Sequence, residues 1–125
     1  MKLIGFIKEH HSNIGKPYDH YLENESHLKS DQRLKLINYF DQGITFFGWM
    51  HYLYHIGTDN VFLPDSFMTD GEFIWPAYLS YYLRNDAKFN LSADIYDGII
   101  SNRYTFDKSN FDETATVNWF LEKVN

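Results

Sequence analysis

The stretch from Thr69 to Leu83, TDGEFIWPAYLSYYL, limits the possible folds more than any other, because the chain must change structural type within it. Asp70-Gly71 is a two-residue signal for a type I′ turn, in which both central positions need positive φ and glycine accepts it without steric cost. Phe67 and Met68 before the turn, and Phe73 to Trp75 after it, are therefore expected to pair as a β-hairpin. Pro76 holds Trp75 extended, and its fixed φ and missing N–H suit the first position of a helix. A helix from Pro76 to Leu83 would set Leu79, Tyr82 and Leu83 on one side, beneath Trp75. These residues build a fold, and none of them forms a catalytic constellation.

Lys2 to Lys8 is a short β-favouring run and reads as a strand, followed by a polar break over Glu9 to Asn13 and a loop through Pro17. Tyr18 to Glu25 suits a short helix with Tyr18, Tyr21 and Leu22 on one side and Asp19, Glu23 and Glu25 in water. A longer helix runs from a Ser30 or Asp31 cap to Phe40 or Asp41, with Leu34, Ile37 and Phe40 at helical spacing and Gly43 as the C′ residue. Ile44 to Ile56 begins as a β-branched and aromatic strand and is expected to run into a bend or helix after Gly48, between which periodicity does not decide. Gly57 to Asn60 is a loop, and Val61 to Pro64 leads into the hairpin. Ser92 can cap a short helix carrying Ile95 and Ile99, and Arg103 to Phe106 is strand or loop. Asp112 and Glu113 open an amphipathic helix with Val117, Phe120, Leu121 and Val124 on one face. The expected fold class is α+β: a small antiparallel sheet with a central hairpin, packed by several helices and sealed by the C-terminal one. Strand order is left open.

A chain of 125 residues reads as a single domain over 1–125, able to hide roughly two-thirds of its unfolded surface. The lack of cysteine excludes disulfides, thiol nucleophiles and thiolate metal sites, and suits a reducing compartment. Met1 to Lys8 has no signal-peptide pattern, and Ile44 to Ile56 falls short of the roughly 20 apolar residues that span a bilayer. A cytoplasmic protein with no membrane partner is the expectation.

Seventeen acids against eleven Lys and Arg give a net charge of −6, which disfavours nucleic acid as a direct partner and favours a basic protein. No Lys or Arg falls between Lys35 and Arg84, whereas Asp41, Asp59, Asp65, Asp70 and Glu72 all do. Aromatic residues make up 19% of the chain, more than a small core needs, so some Tyr and Phe should reach the surface as interface anchors.

TDGEFIWPAYLSYYL resembles the TDGxWxWPxxLxYYV run of small bacterial immunity proteins. LKLINYFDQGITFFGW, Leu34 to Trp49, is similar to the helix, glycine and strand that precede that run, and FIKEHHS is similar to a His-containing opening in the same proteins. The resemblance implies an immunity-type domain from a contact-dependent inhibition or related polymorphic toxin system. Such a domain binds a cognate toxin domain and occludes its active site, without turnover or cofactor. A cationic nuclease domain is the partner that the charge suits. The expected contact residues are Asp59, Asp65, Asp70 and Glu72 around the hairpin and Asp107, Asp112 and Glu113 in the C-terminal part. No catalytic or metal residue is assigned, and the oligomeric state stays open.

The alternative is a small metal-binding protein or enzyme built on histidine. His51 and His55 would share a face if their segment were helical, as paired zinc ligands do, but no Glu follows His51. Glu9, His10, His11, Asp19 and His20 form a second cluster from which an acid/base pair or a metal site could be made. Packed or hydrogen-bonded histidines are the better explanation of both groups.

Overall fold

The computed structural model describes residues 1–58 and 61–124. Its order is β1 (Lys2–Leu3), α1 (Tyr18–Leu22), α2 (Ser30–Asp41), β2 (Ile44–Tyr54), β3 (Phe62–Thr69), β4 (Phe73–Pro76), α3 (Leu79–Asn85), α4 (Ala93–Ser101) and α5 (Glu113–Val124). The fold is α+β, with a four-stranded sheet ordered β1-β4-β3-β2. β2, β3 and β4 form an antiparallel meander, and β1 joins β4 in parallel, so the sheet is mixed rather than purely antiparallel. Among the described residues, no helix is long and apolar enough to cross a membrane.

Side-chain alternation along β3 and β4 explains why both faces of the sheet are covered. Met68 pairs with Trp75, and both belong to a large cluster with Leu36, Phe40, Leu79, Tyr82 and Ile99 from α2, α3 and α4. Phe67 and Ile74, one position away on each strand, join Phe6, Phe46 and Phe120 in a smaller cluster under α5. Phe120 is the buried centre of α5, so the amphipathic face read from its sequence does seal the sheet. Each large side chain fully withdrawn from water contributes roughly 1.5–3 kcal/mol before entropy is counted.

Several expectations need correction. Thr69 pairs with Ile74, so Gly71 and Glu72 are the central loop residues, and only Gly71 has positive φ, at +95°. The turn is therefore not type I′. Asp70 caps it instead: one carboxylate oxygen accepts the N–H groups of Glu72 at 2.9 Å and Phe73 at 2.7 Å. Pro76 ends β4 rather than starting a helix, and α3 begins at Leu79, still with Leu79, Tyr82 and Leu83 buried. The N-terminal strand stops at Leu3, because Gly5 turns the chain at φ +72°. Lys29, not Ser30 or Asp31, is the N-cap of α2, and Gln32 reaches back to accept its N–H at 3.0 Å. Leu34 is exposed while Leu36 and Tyr39 are buried, which rotates the α2 core face from the expected stripe. The segment after Gly48 stays a strand to Tyr54, and 103–106 carries no strand.

Candidate functional site

Three surfaces or clusters compete as the functional site, and the first is centred on Asp65. The β2–β3 ladder pairs Gly48 with Ser66 and then Tyr52 with Pro64, so Trp49, Met50 and His51 stand against Asp65 alone. Pro64 has no N–H to donate, and a bulge is one of the few ways a strand tolerates it. The bulge brings His51 Nε2 to 2.6 Å from Asp65 Oδ2. From the N-terminal loop, His11 Nε2 approaches Asp65 Oδ1 at 2.7 Å. His11 Nδ1 lies 2.9 Å from the Tyr78 hydroxyl, which also accepts the Ile7 N–H at 2.9 Å. One proton arrangement satisfies the whole chain: Ile7 N–H donates to Tyr78, Tyr78 O–H to His11 Nδ1, and His11 Nε2–H to Asp65.

His10 is held alongside. Its Nε2 is 2.8 Å from the Tyr82 hydroxyl, and that oxygen accepts the Ile56 N–H at 3.1 Å. Burial, reinforced by neighbouring His11, lowers the His10 pKa to about 4, so the ring is neutral at physiological pH. Burial likewise pushes Tyr78 well above its usual value and Tyr82 up to about 12. His55 Nδ1 meets the Tyr81 hydroxyl at 2.6 Å.

A histidine–carboxylate pair can act as a general base only if the second ring nitrogen is free for substrate. Both nitrogens of His11 are engaged within the fold, so His11 clamps the N-terminal loop, α3 and the β2–β3 hairpin together, whereas the exposed His51 meets the same carboxylate through Nε2. His51 lies on β2 and His55 just beyond its end, and the two meet different partners. Among the described residues, no three His, Asp or Glu side chains are grouped to hold a metal ion. A cleft of about 260 Å³ borders the network, lined by His10, His11, Ser12, Asn13 and Trp49 among others.

The second candidate is the acidic end of the molecule. The β3–β4 turn and the start of α5 come together there: Gly71, Phe111, Asp112 and Trp119 line a shallow cleft of about 270 Å³. Glu72 and Glu113, next to two of these residues, are exposed, as is Asp112. Asp112 also caps α5, accepting the Ala115 N–H at 3.0 Å. Lys2, opposite Phe73 on β1, is a cation close to this end. Asp107 is exposed on the segment leading to α5, and hydrogen bonds from Ser109 lower its carboxyl pKa.

Of the expected contact carboxylates, Asp112 lines this cleft, Glu72 and Glu113 are exposed beside residues that line it, and Asp107 is exposed nearby in sequence. Asp59 lies outside the described residues. Asp65 and Asp70 are corrected: both are buried, at 4% and 9% exposure, and neither presents a free carboxylate. Asp65 serves the two histidines, and Asp70 binds the hairpin amides and the Tyr39 hydroxyl. A carboxylate that repeatedly finds N–H and O–H donors inside the fold gains more there than on an open surface.

The third candidate is the outer part of the β2–β3 hairpin, where Trp49, Met50, Tyr52, Tyr54 and Phe62 are exposed. Sequence reading anticipated surface aromatics but not their gathering on one hairpin. Their run in GWMHYLY, apolar at nearly every position rather than alternating, was the available signal. Arg33 was also missed: its guanidinium binds Asn90 Oδ1 at 2.6 Å and the carbonyls of Leu83, Asp86 and Phe89, tying α2 to the chain after α3.

These features define an α+β protein with two outward-facing surfaces and an internal polar clamp. No protein-family model, curated protein or solved structure matches the chain.

Proposed function

We propose that this chain is an immunity protein that binds a cationic toxin domain, nuclease in type, and blocks its active site. The observation that carries the reading is the meeting of the β3–β4 turn, at Gly71, with the start of α5, at Asp112, around a cleft that Phe111 and Trp119 also line, with exposed Glu72 and Glu113 next in sequence to Gly71 and Asp112. Carboxylates beside aromatic rings suit a basic protein face: the charges raise the encounter rate, and the rings supply the desolvated anchors. The net charge of −6 and the resemblance to immunity proteins support the same conclusion. Inhibition is by occlusion and needs no chemistry from this chain.

The test is titration of the purified protein into the toxin domain encoded beside it, following binding heat and toxin activity on RNA and DNA. Stoichiometric loss of toxin activity is expected. Glu72→Lys with Asp112→Lys should lower the association rate at least tenfold at low salt and flatten its salt dependence. Tight binding that is indifferent to these two changes would move the interface elsewhere, and no binding at micromolar concentration would remove the immunity reading for that pair.

A further inference from the structure

The apolar tip of the β2–β3 hairpin is a second surface, distinct in chemistry and position from the acidic end. Among the described residues, seven large hydrophobic side chains are exposed, and five of them are Trp49, Met50, Tyr52, Tyr54 and Phe62. Tyr54 is directly opposite Phe62 in the ladder, and Tyr52 is two residues away on the same side. Phe62 packs edge-on against Tyr52 at 5.8 Å and obliquely against Tyr54 at 5.1 Å between ring centres. Met50, at the bulge, is fully exposed. Tyr52, Tyr54 and Phe62 thus form one exposed aromatic cluster, of a kind that monomeric proteins seldom leave uncovered, whereas Trp49 packs on Phe47 and lines the His10–His11 cleft instead.

We infer that the hairpin tip is a self-association surface, on which a second copy of this chain packs its own Tyr52, Tyr54 and Phe62 about a two-fold axis.

Charge selects this occupant. From Gln42 to Pro64 the sequence holds no Lys, no Arg and no Glu, and its single acid is Asp59. A chain carrying −6 is repelled by its own copy over most of its surface, and a neutral face is where two copies can meet. A basic partner gains nothing from that face and is served instead by the carboxylates at the other end of β3. The two surfaces are separated by the length of β3, about 25 Å at strand rise.

Area sets the size of the contact. Met50, Tyr52, Tyr54 and Phe62 present on the order of 500 Å² per copy, so two copies bury about 1,000 Å² in all, the lower bound for a specific interface. The contact is between side chains rather than an extension of the sheet. β2 is an edge strand, but its bulge at Trp49 to His51 interrupts the backbone register that an added strand would need. Because a two-fold contact uses one patch twice, one unfavourable substitution acts at two places in the dimer.

The experiment is sedimentation equilibrium of the full chain from micromolar to submillimolar concentration, for the wild type, Met50→Lys, Phe62→Lys and Asp112→Lys. The wild type and Asp112→Lys are expected to reach the dimer mass. Met50→Lys and Phe62→Lys should weaken association at least tenfold with unchanged circular dichroism; two variants are used so that one misfolded protein does not decide the result. A wild type that stays monomeric at submillimolar concentration overturns the inference, as does a dimer that tolerates both lysines. The same follows if the wild type is monomeric while Met50→Lys abolishes inhibition of a toxin partner, because the tip is then that partner's site. The proposal is independent of the immunity reading: dimer formation is scored without any toxin.

Discussion

The indole of Trp75 lies directly against Gly43. A Cβ added at Gly43 would fall 2.4 Å from Trp75 Cζ2 and 3.0 Å from Cη2. Trp75 is held there from two sides, since its Nε1–H donates to the Phe40 carbonyl at 3.2 Å and its ring meets Phe40 edge-on. Gly43 follows the C-cap of α2, as its position in the sequence suggests, but the left-handed glycines of the described residues are Gly5, Gly57 and Gly71. Space for the indole, not positive φ, is what this glycine provides.

Gly43→Ala is therefore expected to act as an overpacking mutation, costing about 1–3 kcal/mol. Urea denaturation and the fluorescence of Trp75 would report it together. A stability equal to wild type would mean that the indole shifts at no cost.

The Asp65 clamp predicts a graded series. Asp65→Ala removes two carboxylate hydrogen bonds and leaves the largely buried His11 without a partner on Nε2, for a loss of about 2–4 kcal/mol. His51→Ala should cost less than about 1 kcal/mol, because that side chain is 59% exposed and water replaces its partner. His11→Ala should fall near Asp65→Ala. Equal effects from His11 and His51 in chemical denaturation would contradict the assigned network.

Stability should fall in acid through His10. Its folded pKa, about 4, is below the unfolded value near 6.5, so the unfolded chain binds a proton first as the pH drops. The contribution of neutral His10 is complete above pH 6.5, declines steadily between about 6.5 and 4, and declines no further below that. Thermal melts across this range should show the decline, and His10→Gln should flatten it. A wild-type profile identical to that of His10→Gln would place the acid sensitivity in other groups.

Arg33 cannot be replaced by lysine without loss. Four oxygens converge on its guanidinium, at 2.6, 2.7, 3.0 and 3.0 Å, and a single ammonium cannot reach all of them. Arg33→Lys is expected to cost about 1.5–3 kcal/mol, and hydrogen exchange should quicken at the amides of the 86–90 turn. Protection unchanged in that turn would show that α3 holds it alone.

Local signals carried much of the architecture. Residue spacing identified α5 and its buried Phe120, the glycine-containing turn located the β3–β4 hairpin, and the apolar run at Leu79, Tyr82 and Leu83 placed α3 to within a few residues. These depend on interactions over a few residues, which a periodic pattern records directly. Turn type was less legible. Asp70 stays out of the left-handed region because its carboxylate is recruited by the amides ahead of it and by Tyr39, which is 31 residues away.

By itself, then, the sequence determined an acidic α+β protein with a central hairpin, a sealing C-terminal helix and more aromatic residues than its core requires. Only the tertiary structure decided which acids face outward. Asp65 and Glu72 look alike as turn-rich acidic residues, yet one is enclosed by histidines from 54 residues before it and from the strand beside it, and the other stands in water. The difference arises because burial of a carboxylate depends on donors brought to it by the whole fold, and nothing in the residues adjacent to Asp65 encodes where His11 will be.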